Sequence, residues 1–405
     1  MKHFTNFSFY PYTDILFGKD TEKEAGKMIH KHGGKRVMVV YGGGSVKKSG
    51  LFDMAAKTLK DEGLYCAEFG GVQPNPRRSL VEKGIKLAKD EKVDFLLALG
   101  GGSVIDTAKA IALALANDGE YWKFFGGSLP EKMAPVGTIH TISGSGSETS
   151  RSVVIVDDLK TSHKLSVNAD CCRPVFAIMN PELTYSVSAY QTGVGAADTV
   201  AHTVGKYFTR DNPACSLGDE FGEGLIRTVV KFAPIAIANL NDYEARAELM
   251  MASSFSHNEL TSIGRSGKRG GEHPLEHQLS GHYDTAHGAG LAVIMPAWLQ
   301  YIAENGTEEQ VERVAQFGAK VFAVKAGTAK ATADAGLDAF RAWLRSIGMP
   351  LTLAELGIPK ADLEAVIKRA VDANKGMISG FIDLDEKAIR AIYSQAGLIP
   401  RPLGR

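Results

Sequence analysis

The sequence predicts a doubly wound, mostly parallel α/β domain over residues 1–182, followed by an all-helical domain over residues 183–405. Three observations carry this reading. Strand-like and helix-like runs alternate up to about Pro181, as expected of strand–helix–strand units in a parallel sheet. Two of the strand-like runs end in the same turn, Gly-Gly-Gly-Ser. Beyond Pro181 strand-like runs become rare and long helix-compatible stretches dominate.

The elements follow in order. Arg36-Val-Met-Val-Val-Tyr41 is a short apolar run rich in β-branched residues, closed by Gly42 to Ser45. A helix is expected from about Gly50 to Gly63. Leu64 to Phe69 reads as a second strand, ended by Gly70-Gly71 and Pro74-Asn-Pro76, and residues 78–91 read as helix. Val93 to Leu99 is a buried strand that Gly100-Gly-Gly102 turns into a helix starting near Ser103, with Ser103 or a neighbour as cap and Asp106 in the first turn. Pro135 to Ile142 is a further strand. The Asn180-Pro181 step marks the boundary, because the residue before proline disfavours helix. Past it, 214–238, 243–262, 307–325 and 329–346 read as helices.

Composition narrows the function class. The 405 residues suffice for two or three domains. Lys plus Arg and Asp plus Glu both number 46, and no long basic run occurs, so neither nucleic acid nor an acidic membrane surface is an expected partner. No apolar run is long enough to span a membrane, and Met1 to Asp14 lacks the apolar core of a signal peptide. Cys66, Cys171, Cys172 and Cys215 form no Cys-x-x-Cys pair, which fits reduced thiols in a cytoplasmic protein.

At the carboxyl ends of parallel strands, glycine turns line the ligand crevice of an open sheet. Glycine admits a phosphate, and the following helix offers it unpaired N–H groups. The alternative is two tight turns without a ligand, since neither matches G-x-G-x-x-G or the P-loop. An acidic residue after an early strand would hold a ribose 2′-OH and repel a 2′-phosphate. Gly43, Gly44 and Ser45 stand there instead, followed by Lys47 and Lys48, which suits NADP(H). If the two lysines are only a solvated helix start, NAD(H) is the cofactor.

The second domain concentrates histidine. Asp198 and His202 are four residues apart, so a helix would put them on one face. Glu272-His273-Pro-Leu-Glu-His277 follows, then His282, Asp284 and His287, which places four of the chain's eleven histidines within 15 positions. Three imidazoles with one carboxylate suit Fe²⁺ or Zn²⁺ rather than Ca²⁺. Taken singly, an Asp-x-x-x-His pair is ordinary surface or core chemistry. Pro274 is compatible with a helix if it lies in the first turn. Glu272 and Glu276 read as solvated or as support for a ligand, and His257 and His282 as structural.

The combined residues resemble the iron-containing (group III) alcohol dehydrogenase family, in its butanol-dehydrogenase-like branch. The resemblance spans nearly the whole chain. It rests on Gly71-Val-Gln-Pro-Asn-Pro76, Gly100-Gly-Gly-Ser-Val-Ile-Asp-Thr-Ala-Lys109, Gly144-Ser-Gly-Ser-Glu-Thr149, Asp198-x₃-His202 and His277-Gln-Leu-Ser-Gly-His-Tyr-Asp-Thr-Ala-His-Gly-Ala-Gly290. It implies a Rossmann-like first domain, a helical second domain and an active site in the cleft between them. It implies one divalent metal, Fe²⁺ ahead of Zn²⁺, on Asp198, His202, His273 and His287. It implies cofactor contacts at Gly43, Gly44, Ser45, Asn75, Gly101, Gly102, Ser103, Asp106, Thr138, Thr141 and Ser147, and a homodimer paired through the N-terminal segment. One departure stands out: Arg269-Gly-Gly-Glu272 replaces the Asp-Trp-Ala-Ser/Thr stretch usual before the third ligand. The missing tryptophan is expected to leave space beside the metal and to change the size and polarity of the substrate pocket.

The resemblance implies hydride transfer between nicotinamide and a primary alcohol or aldehyde, with the metal polarising the substrate oxygen. His277 is the candidate catalytic residue for proton exchange, or else support for a ligand. Three alternatives stay open: a glycerol-type polyol dehydrogenase, a lyase resembling dehydroquinate synthase, and a non-catalytic nucleotide-binding metalloprotein. The lyase would need basic residues for an acidic substrate, and Arg265, Lys268 and Arg269 are the ones at hand.

Overall fold

Parallel strands covered on both faces need near-continuous apolar sequence, and the central strands have it. In the computed structural model, which describes residues 7–210, 215–265 and 267–397, the strands are β1 (Asp14–Phe17), β2 (Arg36–Tyr41), β3 (Tyr65–Phe69), β4 (Phe95–Gly100), β5 (Val136–His140), β6 (Ser152–Val156), β7 (Lys164–Asn168) and β8 (Phe176–Met179). Six of them form one sheet in the order β1-β8-β5-β4-β2-β3, with every pairing parallel. β6 and β7 form a separate antiparallel pair. Every residue of β4, β5 and β8 is buried.

Side chains alternate across the sheet. Met38, Val40, Leu96 and Ala98 pack into one core with helices α4 (Arg78–Asp90) and α5 (Gly102–Ala116). Val37, Val39, Leu97 and Leu99 face the opposite core with α1 (Ala25–Lys31), α2 (Ser45–Lys48) and α3 (Leu51–Asp61). Helices on both faces make the sheet doubly wound. β3 and β4 lie on opposite sides of β2, so the strand order reverses there. The two glycine turns leave from the carboxyl ends of β2 and β4, at the place where open sheets bind ligands.

Ser188 begins a second compact unit. It is helical: α6 (Ala189–Tyr207), α7 (Ser216–Ala238), α8 (Tyr243–His257), α9 (Glu272–Tyr283) and α10 (His287–Asn305), then Glu308–Phe322, Ala329–Ser346, Leu363–Ala373 and Glu386–Gly397. α10 is buried along most of its length and is the axis of the core. The Ser188 hydroxyl accepts from Gln191 N at the head of α6, capping the helix that carries Asp198 and His202.

Three sequence expectations change. The helix expected over 243–262 stops at His257, because Glu259 takes a left-handed conformation (φ 79°) and only a short 3₁₀ turn follows. No side chain caps α5: Gly101 holds the cap position, and Ser103 lies inside the first turn. β1, β8 and the β6–β7 pair were not expected at all. Residues 1–6 of the N-terminal segment and Ala214 at the head of one expected helix lie outside the described residues.

Candidate metal centre and cofactor turns

In the helical unit, Asp198 and His202 share one face of α6 as their spacing requires, with Asp198 Oδ1 3.7 Å from His202 Nδ1. Pro274 falls in the first turn of α9, where its missing N–H costs no hydrogen bond, so His273 enters a regular helix. His287 is the first residue of α10. A Cβ added at Gly288 would lie 2.0 Å from Val194 O and 3.2 Å from Asp198 Cβ. Only glycine lets α10 come this close to α6. His287 Nε2 is thereby brought within 3.8 Å of Asp198 Oδ1.

One donor atom each from Asp198, His273 and His287 lie within 4.8 Å of one another. His202 stacks against His273 with ring centroids 5.1 Å apart, and His273 lies 5.5 Å from His287. His202 Nδ1 and His273 Nε2 are buried and have no hydrogen-bond partner among the described residues. Buried polar atoms left open in this way call for a ligand. Burial, reinforced by His257, His273, Lys206 and His287, holds the His202 imidazole well below its ordinary value, so it is neutral and has a lone pair to give. Burial also opposes protonation of His273, but its hydrogen bond to Glu272 and the charges of Glu272, Asp198 and Glu276 raise it. One carboxylate and three imidazoles, with open nitrogens, fit a borderline divalent ion.

Glu272 and Glu276 are not solvated: they are 1% and 0% exposed. Glu272 Oε1 accepts from His273 Nδ1 at 2.8 Å, and Glu276 Oε2 accepts from His287 Nδ1. His277 is partly exposed, 5.6 Å from His287 and 6.3 Å from His273 by ring centroid. His257, read as structural, stacks on His202 at 4.1 Å. Its signal in the sequence was weak, because it lies 55 positions from His202 on another helix. His282 is exposed beside Tyr283.

Both glycines of the departure before His273 are closely approached by other side chains. A Cβ at Gly271 would meet Trp298 Nε1 at 3.0 Å, and one at Gly270 would meet Glu272 Oε2 at 2.6 Å. The basic residues nearby are also committed: Arg265 to Asp219, Arg269 to Glu259 at 2.8 Å, and Lys268 to Ser379. This removes the observation that favoured a lyase acting on an acidic substrate.

In the α/β unit the two glycine turns differ. Around Gly43 and Gly44 nothing lies within 4 Å of an added Cβ, and Gly44 has φ 106°. An added Cβ at Gly101 would meet Ile142 at 3.1 Å, and one at Gly102 would meet Ser145 Oγ at 2.3 Å. The start of α5 is therefore pressed against the Ile142–Ser147 loop. Ser145, absent from the expected set, supports that loop by accepting from Ser147 N at 3.2 Å. Asp106 accepts from Ser147 Oγ at 2.6 Å and from Val154 N at 3.1 Å, so its carboxylate holds the loop. Thr141 N donates to Gly100 O just past β5. Asn75 adopts φ 53° and accepts from Lys164. Thr138 is fully buried within β5, and its hydroxyl donates to Phe176 O at 3.4 Å. Lys47 is held by Glu68, which also accepts from the Tyr41 hydroxyl.

A doubly wound sheet with glycine turns at its switch point, on a chain that also assembles an imidazole–carboxylate cluster, is the arrangement of a metal-dependent, nucleotide-binding enzyme. Comparison with known proteins makes the class specific. Residues 12–181 match the family described as iron-containing alcohol dehydrogenase, and residues 191–397 match the Fe-containing alcohol dehydrogenase family, C-terminal. The chain belongs to the iron-containing alcohol dehydrogenase family. It is 36% identical to NADH-dependent butanol dehydrogenase A of Clostridium acetobutylicum, over 95% of this chain and 97% of that one. It is 31% identical to the NADPH-dependent aldehyde reductase YqhD of Escherichia coli, over 96% of this chain and 99% of that one. The crystal structure of NADH-dependent butanol dehydrogenase A from Thermotoga maritima superposes with a TM-score of 0.92 at 34% identity, covering 98% of this chain and 100% of the other. The chain is thus an NAD(P)H-dependent alcohol dehydrogenase or aldehyde reductase. No helix among the described residues is long and apolar enough to cross a membrane.

Proposed function

We propose that the enzyme interconverts a primary alcohol and its aldehyde with NADP(H), using one divalent ion held by Asp198, His202, His273 and His287. The observation that carries the ligand set is the pair of buried, open imidazole nitrogens, His202 Nδ1 and His273 Nε2, gathered with His287 around Asp198. A bound ion supplies Lewis acidity toward the substrate oxygen, and the nicotinamide supplies or takes up the hydride. Asp198 contributes the anionic donor, and His202, kept neutral by burial, contributes a lone pair without a proton to displace. His277, partly exposed beside His287, exchanges the proton with water through an imidazole nitrogen. Fe²⁺ is favoured over Zn²⁺ by resemblance to the family.

The cofactor is assigned to Gly43–Ser45 and Gly101–Ser103, with Asn75, Thr138, Thr141 and Ser147 alongside and Asp106 fixing Ser147. The NADP(H) preference rests on charge. The turn after β2 carries no carboxylate, and Glu68 nearby is bound by Lys47 and Tyr41. The same pairing favours a second reading, NAD(H), because a lysine committed to Glu68 has less to offer a 2′-phosphate. A higher kcat/KM for NADPH than for NADH supports the first; a clear NADH preference overturns it. A homodimer follows the family resemblance, and a cytoplasmic setting follows from four free cysteines.

The direct test reconstitutes the enzyme with Fe²⁺ or Zn²⁺ and follows cofactor oxidation against a panel of aldehydes. Inactivity of both forms on every aldehyde refutes the reading. His202→Ala and His287→Ala are each expected to lose metal and activity together; stoichiometric metal in either variant refutes the ligand set.

A further inference from the structure

Two carboxylates stand behind the proposed ligands rather than among them. Glu272 and Glu276 sit four residues apart on α9 and are 1% and 0% exposed. A buried carboxylate is unfavourable unless its oxygens are engaged. Each of these spends an oxygen on the Nδ1 of a proposed ligand: Glu272 Oε1 on His273 at 2.8 Å, and Glu276 Oε2 on His287. Ser280 Oγ, one turn further along α9, donates to the same Glu276 oxygen at 3.1 Å. The other Glu272 oxygen is buried with no hydrogen-bond partner among the described residues.

The backbone has been cleared to admit both side chains. A Cβ at Gly205 would lie 2.6 Å from Glu272 Oε1, and one at Gly270 would lie 2.6 Å from Glu272 Oε2. A Cβ at Gly290 would lie 2.5 Å from Glu276 Oε1. Three glycines on three different segments therefore make room for two acids that face no water. Glu272 also stands in the stretch where this chain departs from the sequence usual before the third ligand.

A carboxylate accepting from Nδ1–H fixes a histidine's tautomer, leaves Nε2 as the lone-pair donor, orients the ring and makes the nitrogen a stronger donor. We propose that Glu272 and Glu276 are positioning residues that set the metal affinity of the centre by holding His273 and His287 through their Nδ1 atoms. This rests on the proposed function in one respect, that His273 and His287 are ligands. The two glutamates act on different ligands, one on α9 and one on α10, so their contributions are separable.

The test measures Zn²⁺ affinity by competition with a chromophoric chelator, together with bound-metal stoichiometry and the melting temperature of the metal-free protein. It compares wild type, Glu272→Gln, Glu276→Gln, the double variant and His287→Ala. Each glutamine variant is expected to lose roughly 10- to 100-fold in Zn²⁺ affinity, with the metal-free melting temperature unchanged and a larger loss in the double variant. Wild-type affinity in both single variants overturns the proposal. So does an affinity loss matched by a drop in metal-free melting temperature, which marks a merely structural role. If Glu276→Gln fails to fold, Ser280→Ala replaces it: removing one donor to Glu276 Oε2 is expected to weaken Zn²⁺ binding a few-fold, and unchanged binding overturns the proposal for Glu276; if Glu272→Gln fails to fold, Glu272→Asp replaces it, and wild-type Zn²⁺ affinity there overturns the proposal for Glu272. The His287→Ala control separates the two levels. Full metal in that variant defeats the ligand set itself; lost metal there with unaltered glutamine variants defeats only the role given to the glutamates.

Discussion

Lys109 and His202 are both buried on helices, and each has an acidic residue within one turn, at Asp106 and Asp198. Their surroundings differ completely. The Lys109 ammonium donates to Ser147 O at 2.7 Å, Ser147 Oγ at 3.1 Å, Ser150 O at 3.0 Å and Ser152 O at 3.0 Å. With three hydrogens for four acceptors, it has no capacity left for a ligand. Burial still presses its pKa down to about 8 against the pull of Asp106. His202 Nδ1 is buried with no such partner among the described residues. The first is a closed network, which builds the loop under the cofactor turns. The second is an open one, which is what a receptor for an ion looks like before the ion is considered. A buried polar group is thus informative about function only once its partners have been counted.

Substitutions can break or sharpen this contrast. Lys109→Met is expected to have the largest effect, a loss of about 3–5 kcal/mol of stability, because it removes the donor to three carbonyls in the interior and the positive charge that offsets buried Asp106; thermal or urea unfolding measures it. Gly288→Ala comes next: its Cβ meets the Val194 carbonyl, and the strain of separating α10 from α6 costs about 1–3 kcal/mol. That variant should also lose metal, since His287 moves away from Asp198, and elemental analysis reads this independently of the melt. His202→Leu should change the metal-free protein by about 1 kcal/mol or less, because it removes an unsatisfied buried nitrogen rather than a satisfied one. If metal-free His202→Leu melts as low as Lys109→Met, the distinction between open and closed networks fails here. Lys47→Ala should have the smallest effect, a fall of about five-fold or less in the NADPH-to-NADH ratio of kcat/KM, as suits an exposed ion pair. An unchanged ratio would remove Lys47 from cofactor choice.

The same physics explains what the sequence made legible. β2 and β4 were readable because strands covered on both faces are nearly continuously apolar, and Ala329–Ser346 because its apolar positions keep a helical period. β1 and β8 were not, since four residues carry too little pattern. Nor was the break after His257, which depends on a single left-handed residue, Glu259. In the helical unit, the spacing from His273 to His287 exposed the histidine cluster. Glu272 and Glu276 stayed between solvation and support for a ligand, because an acidic residue in a sequence reads as buried only once its partner is known. Arg265 misled for the same reason: its charge pointed to a ligand, whereas the fold sets it against Asp219.

The outer strand of the main sheet has a consequence for how the molecule is made. β1 has a single neighbour, β8, and pairs with it in register from Asp14 opposite Phe176 to Phe17 opposite Met179. At a synthesis rate of about 5–20 residues per second, the chain's first strand waits roughly ten to thirty seconds for its partner to be translated. The nucleotide-binding half therefore cannot finish folding from its amino end. β1 can take its place at the edge only once β8 has been made to receive it.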